Sequence, residues 1–436
     1  MNQCNKDKYG EVFTPVNLVE DMLLDALEIE KDIFIHCKRI FEPGAGKGIF
    51  YETFYRMIHV QDKTTYIMNE INEEHADHLR ELVQTRKDEE GQVLIQDLFS
   101  VELDEKVDLV LGNLPFHNGG KAFVPGLAKF HGGNVAVTKP ERIVTIWPKM
   151  IHYCFDHLLK DGGYFFCIIP CIWLKQDRAC IYDLFVQKNQ ICLLKVFDCV
   201  QANSLFGYNC QTPICYVLVK KGTHTTNTFK LFDASLGLGI GSSSYIDFTL
   251  KEGYCIPTKH AMLFKTSSEM TENGITCYDK IKKISSLKPG LMDQVIQRFD
   301  KSNVAEVGTL EDYPCETGQH KVITGASLVG GGNTLILHGV VSGMDGLYAG
   351  IPKLILPHKR LLRCFKDYDG TYSCYGRDMY VFLFEGTTDV DSREKIDALE
   401  AHLSSHPQCL MIEKGFTIRM NFIEKYVFQY VSWIKE

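Results

Sequence analysis

Apolar residues recur at helical spacing over residues 15–29, at Val16, Val19, Met22, Leu23 and Leu27, which predicts an amphipathic helix. Pro15 suits its first helical position, where a missing N–H costs nothing. A short apolar strand then ends at Arg39-Ile40-Phe41, a glycine-rich turn covers 42–48, and a helix-like run fills 49–59. Residues 64–68, 93–95 and 107–111 read as further strands, with a helix over 72–85. A loop with several glycines spans 119–140. The pattern resumes with an amphipathic run over 146–159, a turn at Asp161-Gly162-Gly163 and an apolar strand over 164–169. Runs at 191–197 and 214–219, beside a hairpin-like loop at 204–212, complete seven strands.

Strands alternating with helices predict an α/β fold, a Rossmann-like and mostly parallel seven-stranded sheet with crossover helices. After Lys220-Lys221-Gly222 the chain turns rich in Gly, Ser and Thr as far as residue 260. The expected organisation is a sheet domain over 1–221, a connecting segment over 222–254 and a C-terminal α+β domain over 255–436. Within the last, turns at 329–332, 342–346 and 369–371 separate β-like segments, and 393–403 and 422–430 look helical.

Composition narrows the picture. With 436 residues and 45% hydrophobic content, the chain can bury more than one core. No stretch reaches eighteen apolar residues and the first nine are polar, so neither a membrane span nor a secretory signal is expected, and the location expected is intracellular. Sixteen scattered cysteines without a C-x-x-C pair read as reduced, mostly buried thiols, with no metal site. The net charge of −8 argues mildly against nucleic acid, but residues 1–120 hold 24 acidic and 12 basic side chains while 251–380 hold 14 and 16. A local basic face in the back half is therefore open.

The candidate chemistry lies in the turns that follow the strands. Gly44, Gly46 and Gly48 let the backbone bend sharply and approach a ligand closely. Their spacing is neither that of a dinucleotide fingerprint nor that of a nucleotide triphosphate loop, since Lys47 is followed by Gly48. Glu70, ending the second strand, is placed to accept both hydroxyls of a ribose, and Asp97, past the third, to face an adenine amino group. A ligand with adenosine but no pyrophosphate fits all three.

The fourth strand runs into Gly112-Asn113-Leu114-Pro115-Phe116. An aromatic amine is a poor nucleophile because its lone pair is delocalised. The Asn113 side-chain oxygen and the Leu114 carbonyl can each accept one amino N–H, favouring a tetrahedral nitrogen and stabilising the charge that develops on it. Pro115 stiffens the turn, and Phe116 offers a face on which a planar base can stack. No protein nucleophile is required.

On these residues the chain resembles the class I methyltransferases that use S-adenosylmethionine, in particular the amino-group DNA methyltransferases acting on adenine N6. Glu11-Val12-Phe13-Thr14-Pro15 resembles their segment over the methionine part of the cofactor, and Phe41 to Phe50, with Glu42, Gly44 and Gly46, their glycine motif. Asn69-Glu70 and Asp97 resemble the ribose and adenine acids, Asn113-Leu114-Pro115-Phe116 the catalytic motif, and 158–170 the fifth-strand region. The motif order resembles the gamma arrangement, whose C-terminal extension recognises DNA. The resemblance covers about 9–220 well and the rest weakly. Leu114 replaces the usual first proline, and Asn-Leu-Pro-aromatic is also similar to ribosomal RNA adenine dimethylases.

The resemblance implies S-adenosylmethionine as cofactor, methylation of adenine N6 with base flipping, DNA as partner, and a place in restriction-modification. RNA adenine methylation, methylation of a protein glutamine amide and a non-catalytic binding protein are the alternatives. Phosphate contacts would grip a flipped target. Lys353, Lys359, Arg360, Arg363 and Lys366 form the best basic cluster, Lys280, Lys282, Lys283 and Lys288 a second, and Lys121 lies in the loop after the catalytic turn. Solvated surface accounts for either cluster equally well. Recognition sequence and oligomeric state are not legible.

Overall fold

The chain divides into two units, Met1–Ile256 and Pro257–Glu436. The computed structural model describes residues 12–35, 37–58, 63–86, 90–116, 146–176, 179–206, 213–222, 224–233, 244–265, 275–284, 321–324, 337–338, 348–358, 364–375, 379–386, 389–405, 416 and 423–434.

The first unit is built on a sheet of nine strands: β1 (Arg39–Glu42), β2 (Thr65–Glu70), β3 (Gln92–Ile95), β4 (Val107–Asn113), β5 (Leu159–Pro170), β6 (Gln190–Phe197), β7 (Ile214–Lys220), β8 (Thr228–Phe232) and β9 (Tyr245–Thr249). Their order is β3-β2-β1-β4-β5-β7-β6-β8-β9. β1 to β5 pair in parallel, β7 runs antiparallel between β5 and β6, β8 joins β6 in parallel, and β9 closes the edge antiparallel. The Rossmann-like α/β class holds, with two strands more than the seven expected. Both extra strands lie in the segment 222–254 that was read as a connection. Each has only five residues, and the burial alternation of Thr228–Phe232 is carried by Phe229 and Leu231 alone, too short a period-two signal to stand out among Gly, Ser and Thr.

Two local readings shift as well. Asp161-Gly162-Gly163 is a bulge inside β5 rather than a turn before it, since Val107 pairs with Leu159 and Leu109 with Tyr164. Gly163 is required there, because a Cβ would fall 2.9 Å from the Asp108 carbonyl oxygen. Pro15 caps the helix α1 (Val16–Ile29) from outside, in an extended conformation, and its carbonyl accepts the Leu18 N–H at 3.1 Å. The helical turn begins one residue later than expected, but still without an N–H lost.

α1 buries Leu18, Val19, Met22, Leu23 and Ala26 in a core that also holds Phe50, Phe54, Tyr66, Leu109, Phe166 and Tyr216. Its polar side is held by one carboxylate. Asp25 accepts the hydroxyls of Tyr216 on β7 and Tyr245 on β9, and lies 3.1 Å from the Lys195 ammonium on β6. The far half of the sheet thereby fixes the helix whose first turn follows Thr14.

β1 ends in Glu42, between β2 and β4, with none of its side chain exposed. The Tyr66 hydroxyl donates to its Oε2 at 3.0 Å, and its Oε1 has no partner among the described residues. Burial pushes this carboxyl well above the usual range, against the Tyr66 hydrogen bond and with the help of the Glu70 charge.

In the second unit, β10 (Lys282–Lys283), β11 (Lys321–Thr324), β12 (Leu337–His338), β13 (Lys353–Pro357), β14 (Phe365–Asp367), β15 (Tyr372–Tyr375) and β16 (Met379–Leu383) form two sheets, ordered β10-β16-β13-β14 and β12-β11-β15. A helix spans Asp389–Ser405. No helix among the described residues is long and apolar enough to cross a membrane.

Lys353, expected at a nucleic-acid surface, is instead a core residue. It is 0% exposed, and its ammonium donates to Asp367 Oδ2 at 2.5 Å and to the carbonyls of Tyr348 and Ile351 at 2.9 and 3.0 Å. All three of its donors are spent inside the unit. Lys366 is exposed but paired with Asp397 at 2.9 Å, and Lys282 lies 3.8 Å from Glu385. Lys121, Lys288, Lys359, Arg360 and Arg363 lie outside the described residues.

Two expected outcomes follow from these buried charges. A carboxyl with a raised folded value binds its proton more tightly folded than unfolded. The contribution of Glu42 is thus fully present below about pH 4.3 and is lost as pH rises through its higher folded value. Glu42→Gln, neutral throughout, should flatten the fall in urea midpoint as pH rises above about 4.3; a slope as steep as that of the parent would refute the assignment. Lys353→Ala strands Asp367 and should cost about 3–5 kcal/mol in denaturant unfolding, against roughly 0.5 kcal/mol or less for Lys366→Ala.

Candidate active site

β1 is flanked by β2 on one side and β4 on the other, so the chain reverses its direction of sheet growth there. Open parallel sheets bind ligands at the carboxyl ends of such strands. The turn leaving β1 is held through its own backbone N–H groups. Ala45 N–H bonds to the Asn69 carbonyl at 2.9 Å, and Gly46 N–H to Glu70 Oε2 at 2.7 Å. Gly46 and Gly48 have φ of 53° and 75°, the left-handed region that favours glycine. Gly48 has no room either, since a Cβ would lie 2.7 Å from Leu82. Gly44 faces the second turn, where a Cβ would lie 3.9 Å from both the Asn113 carbonyl and Pro115 Cδ. The glycine turn and the Asn-x-Pro turn, far apart in sequence, are side by side.

Glu70 serves this turn more than was expected. Its Oε2 takes the Gly46 N–H, while its Oε1 takes the N–H groups of Ile71 and Asn72 at 2.9 and 2.8 Å. A carboxylate accepts about four hydrogen bonds, so one place is left, fewer than the two that a pair of ribose hydroxyls would need. Asp97 stands at the neighbouring strand end, since Glu70 pairs with Ile95 across β2 and β3. It is half-buried, and its Oδ1 caps the short turn Leu98–Ser100 by accepting the Phe99 N–H at 3.1 Å. Glu42, expected among the cofactor ligands, presents no surface and is bonded to Tyr66 within the sheet.

At the Asn-x-Pro turn, Asn113 donates from Nδ2 to Thr14 Oγ1 at 3.1 Å. Its Oδ1 is buried and has no partner among the described residues. Leu114 is fixed by its buried side chain and by a 3.4 Å hydrogen bond from its N–H to the Ile168 carbonyl on β5. Pro115 and Phe116 are half-buried, with Phe116 packed against the core beside the site. Phe13 lies over the glycine turn, its ring 3.9 Å from a Cβ built on Gly46 and 4.7 Å below the Lys47 ammonium.

The structure therefore gathers Phe13, Thr14, Gly44, Gly46, Glu70, Asn113 and Pro115 by direct contacts, with Pro15 next to Thr14 and Asp97 one strand away. The sequence did not reveal three pairings, one of them between two residues it had singled out, Thr14 and Asn113. His75 meets the Phe13 ring edge-on at 6.2 Å, Tyr66 holds Glu42, and Thr14 holds Asn113. Only the last had a signal, a hydroxyl in the segment preceding α1, and nothing in the sequence paired it with a residue 99 positions away.

No family model and no curated protein matches this chain. Among solved structures, it overlaps the methyltransferase subunit of a type I restriction-modification system from Streptococcus thermophilus at 17% identity and a TM-score of 0.39, over 54% of this chain and 50% of that one. It overlaps the M protein of the type I restriction enzyme EcoKI at 15% identity and a TM-score of 0.36, over 52% of this chain and 48% of that one. The chain thus spans about half the length of each. What the site can do is read from its own residues.

Proposed function

We propose that this chain is an S-adenosylmethionine-dependent methyltransferase acting on the N6 amino group of adenine in DNA. The observation that carries the reading is the buried Oδ1 of Asn113, without a partner among the described residues and set beside a glycine turn at a sheet switch point. A buried acceptor without a donor costs about 1–3 kcal/mol, and such a cost persists where a ligand supplies the donor.

The residues present fit the cofactor. Glu70 has one acceptor place for a ribose hydroxyl, Asp97 a carboxylate for the adenine amino group, and Gly44 and Gly46 leave the turn without side chains. Phe13, Thr14 and Pro15 cover the methionine end. S-adenosylmethionine held there supplies an electrophilic methyl carbon on a sulfonium.

The chain's own residues prepare the amine. Asn113 Oδ1 and the Leu114 carbonyl each accept one N–H, which draws the nitrogen toward tetrahedral geometry and turns its lone pair outward. Placement supplies much of the remaining rate, and the surplus proton leaves to water after transfer. Phe116 stacks on the base, which must leave a duplex to reach the turn. The unit Pro257–Glu436 is the candidate for target recognition, with DNA as partner and a modification role in a restriction-modification pair. RNA adenine is the second reading, favoured by Leu114 in the first-proline position.

Asn113→Ala should keep cofactor affinity and lower methyl transfer by about 100-fold or more, measured with labelled cofactor on DNA and RNA followed by nucleoside identification. Equal turnover by variant and parent would end this reading. Asp97→Asn keeps an oxygen to cap Phe99 but removes the carboxylate. Calorimetry should show cofactor affinity about 10- to 100-fold weaker; unchanged affinity would place the adenine elsewhere.

A further inference from the structure

We propose that Thr14 is a positioning residue that sets which end of the Asn113 carboxamide faces the acceptor, an inference that rests on the methyltransferase reading. A carboxamide has two unlike ends, an oxygen that only accepts and a nitrogen that only donates. Preparation of an amine requires the oxygen end. With the nitrogen end inward, two N–H groups would oppose the amine's own hydrogens and compete for its lone pair.

Thr14 Oγ1 accepts from Asn113 Nδ2 at 3.1 Å. That contact occupies the donating end and leaves Oδ1 as the buried atom without a partner among the described residues. Thr14 is 8% exposed, so water does not readily take its place. A hydroxyl donates as well as accepts, so Thr14 anchors either end and the choice is made with the inner side: reversal would put both Nδ2 hydrogens there without acceptors, in place of one oxygen, which is the costlier arrangement.

The position of the hydroxyl is itself over-determined. Pro15 caps α1 directly after it, and Phe13 packs on the glycine turn directly before it. α1 in turn is fastened through Asp25 to Lys195, Tyr216 and Tyr245. The segment before the sheet thus does more than cover a cofactor: it reaches across to the fourth strand and holds the acceptor group in register. The same hydroxyl needs no proton transfer and no change of charge to do so.

Thr14→Val keeps the shape and removes the hydroxyl; Thr14→Ser restores it. At saturating cofactor and DNA, Thr14→Val should lower kcat about 10- to 100-fold while the KM for DNA and the calorimetric cofactor affinity stay within about threefold, and Thr14→Ser should recover most of kcat. A loss confined to cofactor affinity, with kcat unchanged, would overturn the positioning role and leave Thr14 a cofactor ligand only. A second readout needs no turnover. In protein carrying ¹⁵N-labelled asparagine, the side-chain amide signals of Asn113, assigned by their loss in Asn113→Ala, should show one slowly exchanging proton. That protection should vanish in Thr14→Val and return in Thr14→Ser; signals indifferent to Thr14→Val would overturn the proposal. If the parent protein methylates no nucleic acid, the functional reading falls, and the amide signals still decide the Thr14–Asn113 contact.

Discussion

Parallel pairing of β1 with β4, Ile40 beside Leu109 and Phe41 beside Val110, is the constraint on which the site depends. Neither turn has functional geometry alone. The pairing places the chain leaving β1 against the chain leaving β4, so that Gly44 faces Asn113 and Pro115. Both strands are buried on both faces, and a slip of one residue would move every side chain of a strand to the opposite face. The register is therefore held by the whole core, and the site inherits its precision.

Around that pairing the protein keeps polar groups where a purely structural design would place none. Glu42 is sealed between strands, Asn113 Oδ1 and Asn69 Oδ1 are buried without donors among the described residues, and Glu70 spends three acceptor places on backbone N–H groups. Departures from full polar satisfaction concentrate at working sites, where a ligand or a stored orientation returns the cost. Glu70 shows the division of labour: its carboxylate first builds the turn and only then has capacity for a ligand.

The second unit shows how burial changes the meaning of a residue type. Lys353 belongs to a cluster of cations in the sequence, yet it is a buried counter-ion for Asp367, which also accepts the N–H groups of Thr371 and Tyr372. Lys366 has the exposure a phosphate contact needs, but already shares its charge with Asp397. Clustering of charge along a chain does not determine which charges reach solvent.

The sequence by itself determined the α/β class, the first seven strands, the two turns and the types of residue they carry. Those features are local: periodicity follows from the pitch of a helix or the pleat of a strand, and glycine spacing from allowed backbone angles. Tertiary structure alone decided what depends on neighbours distant in the chain. It added β8 and β9 beyond β6, with β9 at the edge, buried Lys353, removed Glu42 from the surface, and spent three acceptor places of Glu70 on backbone N–H groups. It also brought Thr14 to Asn113 across 99 residues, because hydrogen bonds and burial belong to positions in space, and spacing along a sequence does not encode them.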